Sequence, residues 1–247
     1  MSEPVSVIGS PISPYVRKVL AVLELKGVAY RIDPIAPFVG NQEFSRLSPL
    51  RRIPVLIDGE LVLNDSSVIC QYLEERHPAP ALYPADLADR ARARWLEEYA
   101  DTHLGDVLIW KLFFQLGARR FLFREEADEA MVRRAREEEI PAALDYLEAQ
   151  LPSAGFAFGA LSIADLTLAS FFRTAAFVKY AIDAARWPRM VALVTAVMAL
   201  PAMQKLAAME DRIVRLPLAE QRPALAAMGV ALTETTMGDA APQRGFR

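Results

Sequence analysis

The most restrictive feature of this 247-residue sequence is a change of pattern near residue 80. Up to about residue 76, short apolar runs alternate with helix-period runs, whereas from Leu87 onward one helical pattern follows another. The segment between them, HPAPALYPAD, contains Pro78, Pro80 and Pro84, which interrupt regular structure and indicate a linker. We therefore expect two domains, residues 1–80 and 87–216, followed by a C-terminal extension, residues 217–247.

The first part predicts a β-α-β unit followed by a β-β-α unit. VSVIG is typical of a short buried strand, and apolar residues then recur at helical spacing from Val16 to Leu23 until Gly27 ends the run. VAYRID is typical of a second strand, parallel to the first because a helix connects them. IPVLIDGELVL contains two apolar runs joined by Asp-Gly, which predicts a hairpin, and DSSVICQYLEER predicts another helix.

The second part predicts an all-helical domain. Two long amphipathic segments, ARARWLEEYADTHLGDVLIWKLFF and EEADEAMVRRAREEEIPAALDYLEAQL, are followed by three shorter ones. Ser162 and Asp165 have the spacing of a capping box at the start of a helix. Periodicity weakens beyond Leu216, so we expect the extension to be partly helical or mobile.

Composition argues against several classes of function. The formal net charge is −3, so we expect neither nucleic acid nor an anionic membrane as a partner. The amino terminus lacks the pattern of a secretory signal, which favours a cytoplasmic protein. The single Cys70 excludes an internal disulfide, and two histidines make a metal site unexpected. The sequence contains no GxSxG segment, so it does not support a serine hydrolase.

Three places in the first domain have both a structural and a functional interpretation. Ser13 precedes Pro14 at a helix start, where a serine is a common N-cap. At Ile53-Pro54, a trans proline that begins a strand is the ordinary interpretation, whereas a cis bond would leave the Ile53 backbone free to pair with an extended peptide. Ser66 can cap the next helix, whose free N–H groups can also bind a carboxylate.

Together, three stretches of the sequence resemble the glutathione transferase family: SPYVRKVL, LSPLRRIPVLIDGELVLNDSSVICQYLEE and GALSIADLTLAS. The resemblance extends in order from residue 5 to about residue 213 and includes the proline-rich linker. It is greatest to the serine-type, bacterial or plant branches of the family. The implied fold is an α/β thioredoxin-like N-terminal domain plus an all-α helical C-terminal domain.

The resemblance also implies a binding site for glutathione. Ser13 matches the serine that donates a hydrogen bond to the glutathione sulfur, and the backbone at Ile53-Pro54 matches the pair that holds the cysteinyl unit. Asp65 and Ser66 match the residues that bind the γ-glutamyl end.

Residues next to these matched positions have more than one interpretation. Arg52 either contacts the glycyl carboxylate or is solvated. Arg51 departs from the family, which often has glycine there, so the loop shape and the placement of Arg52 are open. Asn41 and Gln42 are in range of the contact that the preceding loop usually supplies. Ser10 is the second candidate, after Ser13, for the hydroxyl that meets the sulfur.

The implied chemistry is activation of a thiol. A thiol with a pKa near 8.5 is only a few per cent ionised at neutral pH. A hydroxyl donor at a helix start favours the thiolate through its hydrogen bond and through the aligned peptide dipoles. Lowering the pKa by about two units requires roughly 2.7 kcal/mol of preferential thiolate stabilisation. In this scheme Ser13 stays protonated and acts as a donor.

We therefore expect a homodimeric glutathione transferase that uses no metal and conjugates glutathione, as co-substrate, to a small hydrophobic electrophile. The helical domain would supply the hydrophobic substrate pocket, and detoxification is the expected role. Two alternatives remain. One is a glutathione-dependent isomerase or dehalogenase, and the other is a non-catalytic transferase-like scaffold that binds a protein partner.

Overall fold

A computed structural model describes residues 3–243 of the chain. Contacts divide it into two compact units, which are described separately. The first contains the residues up to Pro80 together with those from Pro201 onward, and the second contains Ala81–Leu200. The C-terminal residues 244–247 of the expected extension lie outside the described part.

The first unit is built on a four-stranded sheet of order β2-β1-β3-β4. β1 (Val5–Ile8) is parallel to β2 (Tyr30–Asp33), as the β-α-β pattern predicts. β3 (Val55–Asp58) is antiparallel to both β1 and β4 (Leu61–Asn64). The predicted hairpin is present, and Gly59 has the positive φ, 60°, that its two-residue turn requires.

Three α-helices and a 3-10 helix (Pro37–Val39) complete the described N-terminal part of this unit. The α-helices are α1 (Pro14–Lys26), α2 (Gln42–Leu47) and α3 (Ser66–Arg76). α1 ends at Gly27 in the left-handed conformation, as the sequence predicts. The segment between β2 and β3 contains α2, which the side chain of Asn41 caps by accepting from the Phe44 N–H at 3.1 Å.

The C-terminal part of the first unit is formed by α10 (Pro201–Ile213), α11 (Leu218–Ala227) and an extended segment that follows them. α10 packs on α1, so it belongs with the sheet although its sequence continues the helical pattern of 87–216. Residues 231–233 run beside β2, where the Ile32 N–H donates to the Ala231 carbonyl at 2.9 Å. The extension expected to be partly helical or mobile therefore contains both α11 and a segment fixed to the sheet edge.

The second unit is all helical. Its first helical stretch consists of α4 (Leu87–Tyr99), a π-helical section (Ala100–Ala118) and α5 (Arg119–Phe123). Its second consists of α6 (Glu129–Arg134), a short π-helical section (Ala135–Glu139) and α7 (Ile140–Gln150). They are followed by α8 (Ile163–Ala176) and α9 (Pro188–Met198).

The capping box predicted at the start of α8 is present. Asp165 is fully buried, and its Oδ2 accepts from the Ser162 N–H at 2.8 Å and the Ser162 hydroxyl at 2.7 Å. Its Oδ1 accepts from the Ala157 N–H at 2.8 Å. Burial nevertheless raises the pKa of the Asp165 carboxyl above its ordinary value. The box is thus a structural feature of the helical unit.

Within residues 3–243, no single helix is long and apolar enough to cross a membrane. The helices α9 and α10 reach that length and apolar composition only when they are counted together, and the chain bends sharply between them.

Candidate functional site

The sheet brings the three segments predicted to form the glutathione site to the same end of its strands. Because β3 is antiparallel to β1, its first residue, Val55, pairs with Ile8 at the carboxyl end of β1. Because β4 is antiparallel to β3, its last residue, Asn64, pairs with the same Val55. The turn before α1, the Ile53-Pro54 pair and the start of α3 therefore lie at the same end of the sheet.

Gly9 shows how closely these segments approach one another. It has φ of 146°, and a Cβ built on it would lie 2.6 Å from Val16 Cγ2 and 2.9 Å from Ile53 Cβ. Both distances are shorter than side-chain packing allows, so a glycine is required where the end of β1 passes between α1 and Ile53.

Ser13 occupies the N-cap position of α1, with extended backbone angles of φ −67° and ψ 130°. Its carbonyl accepts the first helical hydrogen bond, from the Arg17 N–H at 2.9 Å, but its side chain makes no capping hydrogen bond. The helix starts with Pro14, which has no N–H to satisfy. The hydroxyl is half-buried at the positive end of the helix and is not used by the cap.

Ser10, the second candidate hydroxyl, has a different environment. It is buried, and its Oγ accepts from the Ile12 N–H at 3.4 Å. Its carbonyl accepts from the Ser13 N–H at 3.0 Å, which shapes the turn into α1. This arrangement gives Ser10 a structural contribution.

The peptide bond between Ile53 and Pro54 is cis. The interpretation as a trans proline that starts a strand is therefore wrong, and β3 begins one residue later, at Val55. Ile53 is half-buried, and within residues 3–243 neither its N–H nor its C=O makes a hydrogen bond. The backbone beside the sheet end thus presents one donor and one acceptor to an extended peptide.

The loop before Ile53 is held by Ser48. The Ser48 hydroxyl donates to the Arg52 carbonyl at 2.8 Å and accepts from the Arg52 N–H at 2.9 Å. Arg51 has φ of 50°, which is the left-handed region that favours the glycine often found at this position. Its guanidinium donates to the Gly40 carbonyl at 2.8 Å and to the Ser45 hydroxyl, so it fastens the loop.

Arg52 is thus held in this loop through its backbone N–H and C=O. Its side chain is exposed, and in the described part of the chain it forms no ion pair or side-chain hydrogen bond. Of the two residues suggested for the preceding loop, Asn41 is used in capping α2, and Gln42 is exposed.

At the start of α3 the capping residue is Asp65 rather than Ser66. Asp65 Oδ1 accepts from the N–H groups of Ser67 at 2.9 Å and Val68 at 3.2 Å, and the residue has φ of 75°. The expectation that Ser66 caps this helix is thus wrong, because the carboxylate one residue earlier reaches the free N–H groups. Ser66 is buried, and among the residues described its hydroxyl makes no hydrogen bond.

Two basic residues of α1, Arg17 and Lys18, are fully buried close to this end of the sheet. Arg17 Nε lies 2.5 Å from Glu210 Oε1 of α10, and its guanidinium also donates to the Ile12 carbonyl at 3.2 Å. Lys18 Nζ donates to the Ser67 hydroxyl at 3.1 Å and so joins α1 to the first turn of α3. Two adjacent basic residues within the apolar-periodic part of α1 are the sequence signal for these contacts, but their partners are distant in sequence.

Metal ions are bound by groups of suitable side chains. In the part of the chain that the structure describes, no three His, Cys, Asp or Glu side chains are grouped to hold an ion. Cys70 is buried in α3.

Family models match both units. The model for the N-terminal domain of glutathione S-transferase matches residues 7–81, and the model for its C-terminal domain matches residues 130–196. Together they cover more than half of the chain.

Curated relatives support the same assignment. Glutathione S-transferase Z1 of Arabidopsis thaliana is 40% identical over 77 residues, which are 30% of this chain and 35% of the relative. Probable maleylacetoacetate isomerase of Vibrio cholerae is 51% identical over 65 residues, 26% of this chain and 30% of the relative. The matched segments thus span only about a third of these relatives.

Solved structures extend the likeness over most of the chain. The crystal structure of a glutathione S-transferase from Rhodospirillum rubrum aligns with a TM-score of 0.75 and 24% identity, covering 82% of this chain and 91% of that one. A maleyl pyruvate isomerase described as a bacterial zeta-class glutathione S-transferase aligns with a TM-score of 0.68 and 27% identity, covering 81% and 95%.

These findings, with the four-stranded sheet and the helical unit, define a two-part protein with a thioredoxin-like N-terminal domain and an all-helical C-terminal domain. The chain belongs to the glutathione S-transferase family.

Proposed function

We propose that this protein is a serine-type glutathione S-transferase that adds the glutathione thiolate to a small hydrophobic electrophile. The observation that carries the proposal is the Ser13 hydroxyl, which stands at the positive end of α1 without being used in its cap. The hydroxyl donates to the sulfur, and both the hydrogen bond and the helix field favour the thiolate over the thiol.

The other residues hold the tripeptide in an extended form. The Ile53 N–H and C=O pair with the cysteinyl backbone, next to Pro54. The Ser66 hydroxyl and the start of α3 bind the γ-glutamyl carboxylate, because a helix N-terminus favours an anion. Asp65 attracts the γ-glutamyl ammonium, and the exposed Arg52 attracts the glycyl carboxylate.

The helical part supplies the apolar side chains that bind the electrophile. A reduced thiol that captures a small hydrophobic electrophile suits a cytoplasmic detoxification enzyme, and the proposed reaction needs neither nucleic acid nor a membrane.

Calorimetric titration with reduced glutathione tests the first half of the proposal. We expect the wild-type chain to bind glutathione and the Ser66→Ala variant to bind it more weakly. A chain that shows no affinity for glutathione is better explained as a non-catalytic scaffold for a protein partner.

Conjugation of a generic aryl halide tests the second half. We expect Ser13→Ala to lower the rate at neutral pH by about twenty- to thirtyfold, because a thiol with a pKa of about 8.5 is about 3% ionised at pH 7 and one with a pKa about two units lower is about 75% ionised. An unchanged rate would remove Ser13 from the mechanism. The matched control is Ser153→Ala, an exposed serine in the other unit.

A glutathione-dependent isomerase is the second candidate, because the Vibrio cholerae relative is described as a probable maleylacetoacetate isomerase and shares 51% identity over 65 residues. In that reaction the same thiolate adds to a conjugated double bond, permits rotation and leaves again, so glutathione is not consumed. Assaying a cis-unsaturated diketo acid and measuring glutathione before and after separates the two reactions. A dehalogenase would instead release halide.

We also propose that the protein is a homodimer. Four apolar side chains of the first unit are exposed on the loop before Ile53, on the edge strand β4 and on α3: Leu50 (63%), Leu61 (40%), Val62 (37%) and Val68 (49%). Burial of such side chains against a second copy would remove them from water. Light scattering should give twice the chain mass of 27.4 kDa, and Val62→Lys should give the monomer.

A further inference from the structure

The C-terminal segment 230–243 lies along residues 32–41, the stretch between β2 and α2, and we refer to it as the strap. Hydrogen bonds run along its whole length. The Thr233 N–H donates to the Ile32 carbonyl at 3.2 Å, and the Asn41 N–H donates to the Met237 carbonyl at 2.8 Å. The Gln243 N–H donates to the Phe38 carbonyl at 2.7 Å.

The centre of the strap is fastened to the buried carboxylate of Asp33, which is 1% exposed. Asp33 Oδ1 accepts from the Thr236 hydroxyl at 2.8 Å and from Arg222 Nη1 at 3.1 Å, and Oδ2 accepts from the Met237 N–H at 2.7 Å. Hydrogen bonds to a buried charge are stronger than neutral ones. These three donors all come from the C-terminal extension, so this carboxylate fixes the extension to the end of β2.

Asp33 also connects the strap to the turn that carries Ser13. The Gly9 N–H donates to the Asp33 carbonyl at 2.8 Å, and the Ser10 N–H donates to the Ile35 carbonyl at 2.7 Å. The Ser10 carbonyl in turn accepts from the Ser13 N–H. Hydrogen bonds and the short backbone stretches between them therefore link the strap, through the end of β2, to Ser13 at the start of α1.

The strap has a second connection, to the Ile53 backbone. The Met237 side chain packs against the apolar cluster that contains Ile8, Ile35, Phe44 and Val55, and Ile53 packs against the same cluster. The strap therefore contacts the supports of both halves of the proposed binding site.

We infer that the strap is a positioning element for glutathione, with Asp33 as the positioning residue that anchors it; this inference rests on the proposed function. When the strap is loosened, a smaller fraction of molecules presents Ser13 and Ile53 in the binding geometry. The apparent affinity for glutathione falls by that fraction, whereas saturating glutathione restores the geometry and the rate. The signature is a raised KM for glutathione with kcat nearly unchanged.

Two matched pairs of variants in the full chain test the inference. Thr236→Val removes the hydroxyl that donates to Asp33, and Thr236→Ser keeps it. Met237→Ala removes the contact with the apolar cluster, and Met228→Ala makes the same change at a residue of the extension that is 42% exposed. We expect Thr236→Val and Met237→Ala to raise KM for glutathione by about five- to tenfold, the consequence of losing one hydrogen bond or apolar contact. Thr236→Ser and Met228→Ala should behave like the wild type.

Amide hydrogen exchange of the ligand-free variants supplies a readout that does not depend on glutathione. We expect faster exchange across residues 33–41 in Thr236→Val and Met237→Ala than in their controls. If exchange is unchanged, the strap does not hold this segment and the inference fails. Faster exchange with an unchanged KM would also overturn it, since the strap would then be structural only.

The outcome also separates this inference from the proposed function. Wild-type protein that binds no glutathione would refute the proposed function, and with it the assignment of the strap to glutathione binding, even if exchange across residues 33–41 increases. If the wild type binds glutathione and all four variants bind it equally tightly, only the strap inference is refuted.

Discussion

The buried ion pair between Arg17 and Glu210 gives a quantitative prediction about stability. Both side chains are 0% exposed, and Nε and Oε1 lie 2.5 Å apart. Replacing Glu210 with leucine, which has a similar volume, leaves the guanidinium buried without that carboxylate. Removing one partner of a buried pair costs about 3–5 kcal/mol. We therefore expect Glu210→Leu to lower the free energy of unfolding by about that amount.

Urea unfolding followed by circular dichroism measures this effect. The control is Glu138→Leu, which breaks an exposed pair with Arg134 whose side chains are 71% and 69% exposed and 3.8 Å apart. Such a pair contributes less than about 1 kcal/mol because water screens it. The double variant Arg17→Met, Glu210→Leu should recover more than half of the loss, since no uncompensated charge remains. If Glu210→Leu is as stable as the control, the argument from burial is refuted.

Three further predictions concern individual side chains. Ser66→Ala should weaken glutathione binding by about tenfold in calorimetry, because it removes one hydrogen bond to the γ-glutamyl carboxylate, and unchanged binding would exclude that contact. Asp165→Ala should lower the free energy of unfolding by about 3 kcal/mol in urea, because two buried donors of Ser162 and the partly buried Ala157 N–H lose their acceptor, and a loss below about 0.5 kcal/mol would contradict this. Burial raises the pKa of Tyr180 to about 12, so the difference in spectrophotometric titration between the wild type and Tyr180→Phe should show one phenol ionising near 12, not near 10. Since the unfolded chain releases this proton first, stability should fall as pH rises above about 10.

Much of the fold follows from local sequence patterns. The strand and helix of the β-α-β unit, the Asp58-Gly59 hairpin and the Ser162–Asp165 capping box each depend on residues within a few positions of one another. Periodicity and turn chemistry are sufficient for such features. The placement of Ser13 at a helix start was predictable for the same reason.

The features that could not be predicted depend on distant partners or on several allowed geometries. Either isomer of the Ile53-Pro54 bond is compatible with the local sequence, and only the surrounding structure selects cis. Asp65 and Ser66 are both good caps, and only the folded backbone determines that the Asp65 carboxylate accepts from the first N–H groups of α3. The strap is held by Asp33, which is separated from Met237 by 204 residues, so no local pattern indicates it.

The pKa of the glutathione thiol in the complex is the most direct test of the proposed mechanism. It can be measured from the ultraviolet absorbance of the thiolate as a function of pH, for the wild type and for Ser13→Ala. We predict a thiol pKa about two units below the solution value of about 8.5 in the wild type, and a return of at least about one unit toward that value in the variant. An identical thiol pKa in both complexes would contradict the assignment of Ser13 as the donor to the sulfur.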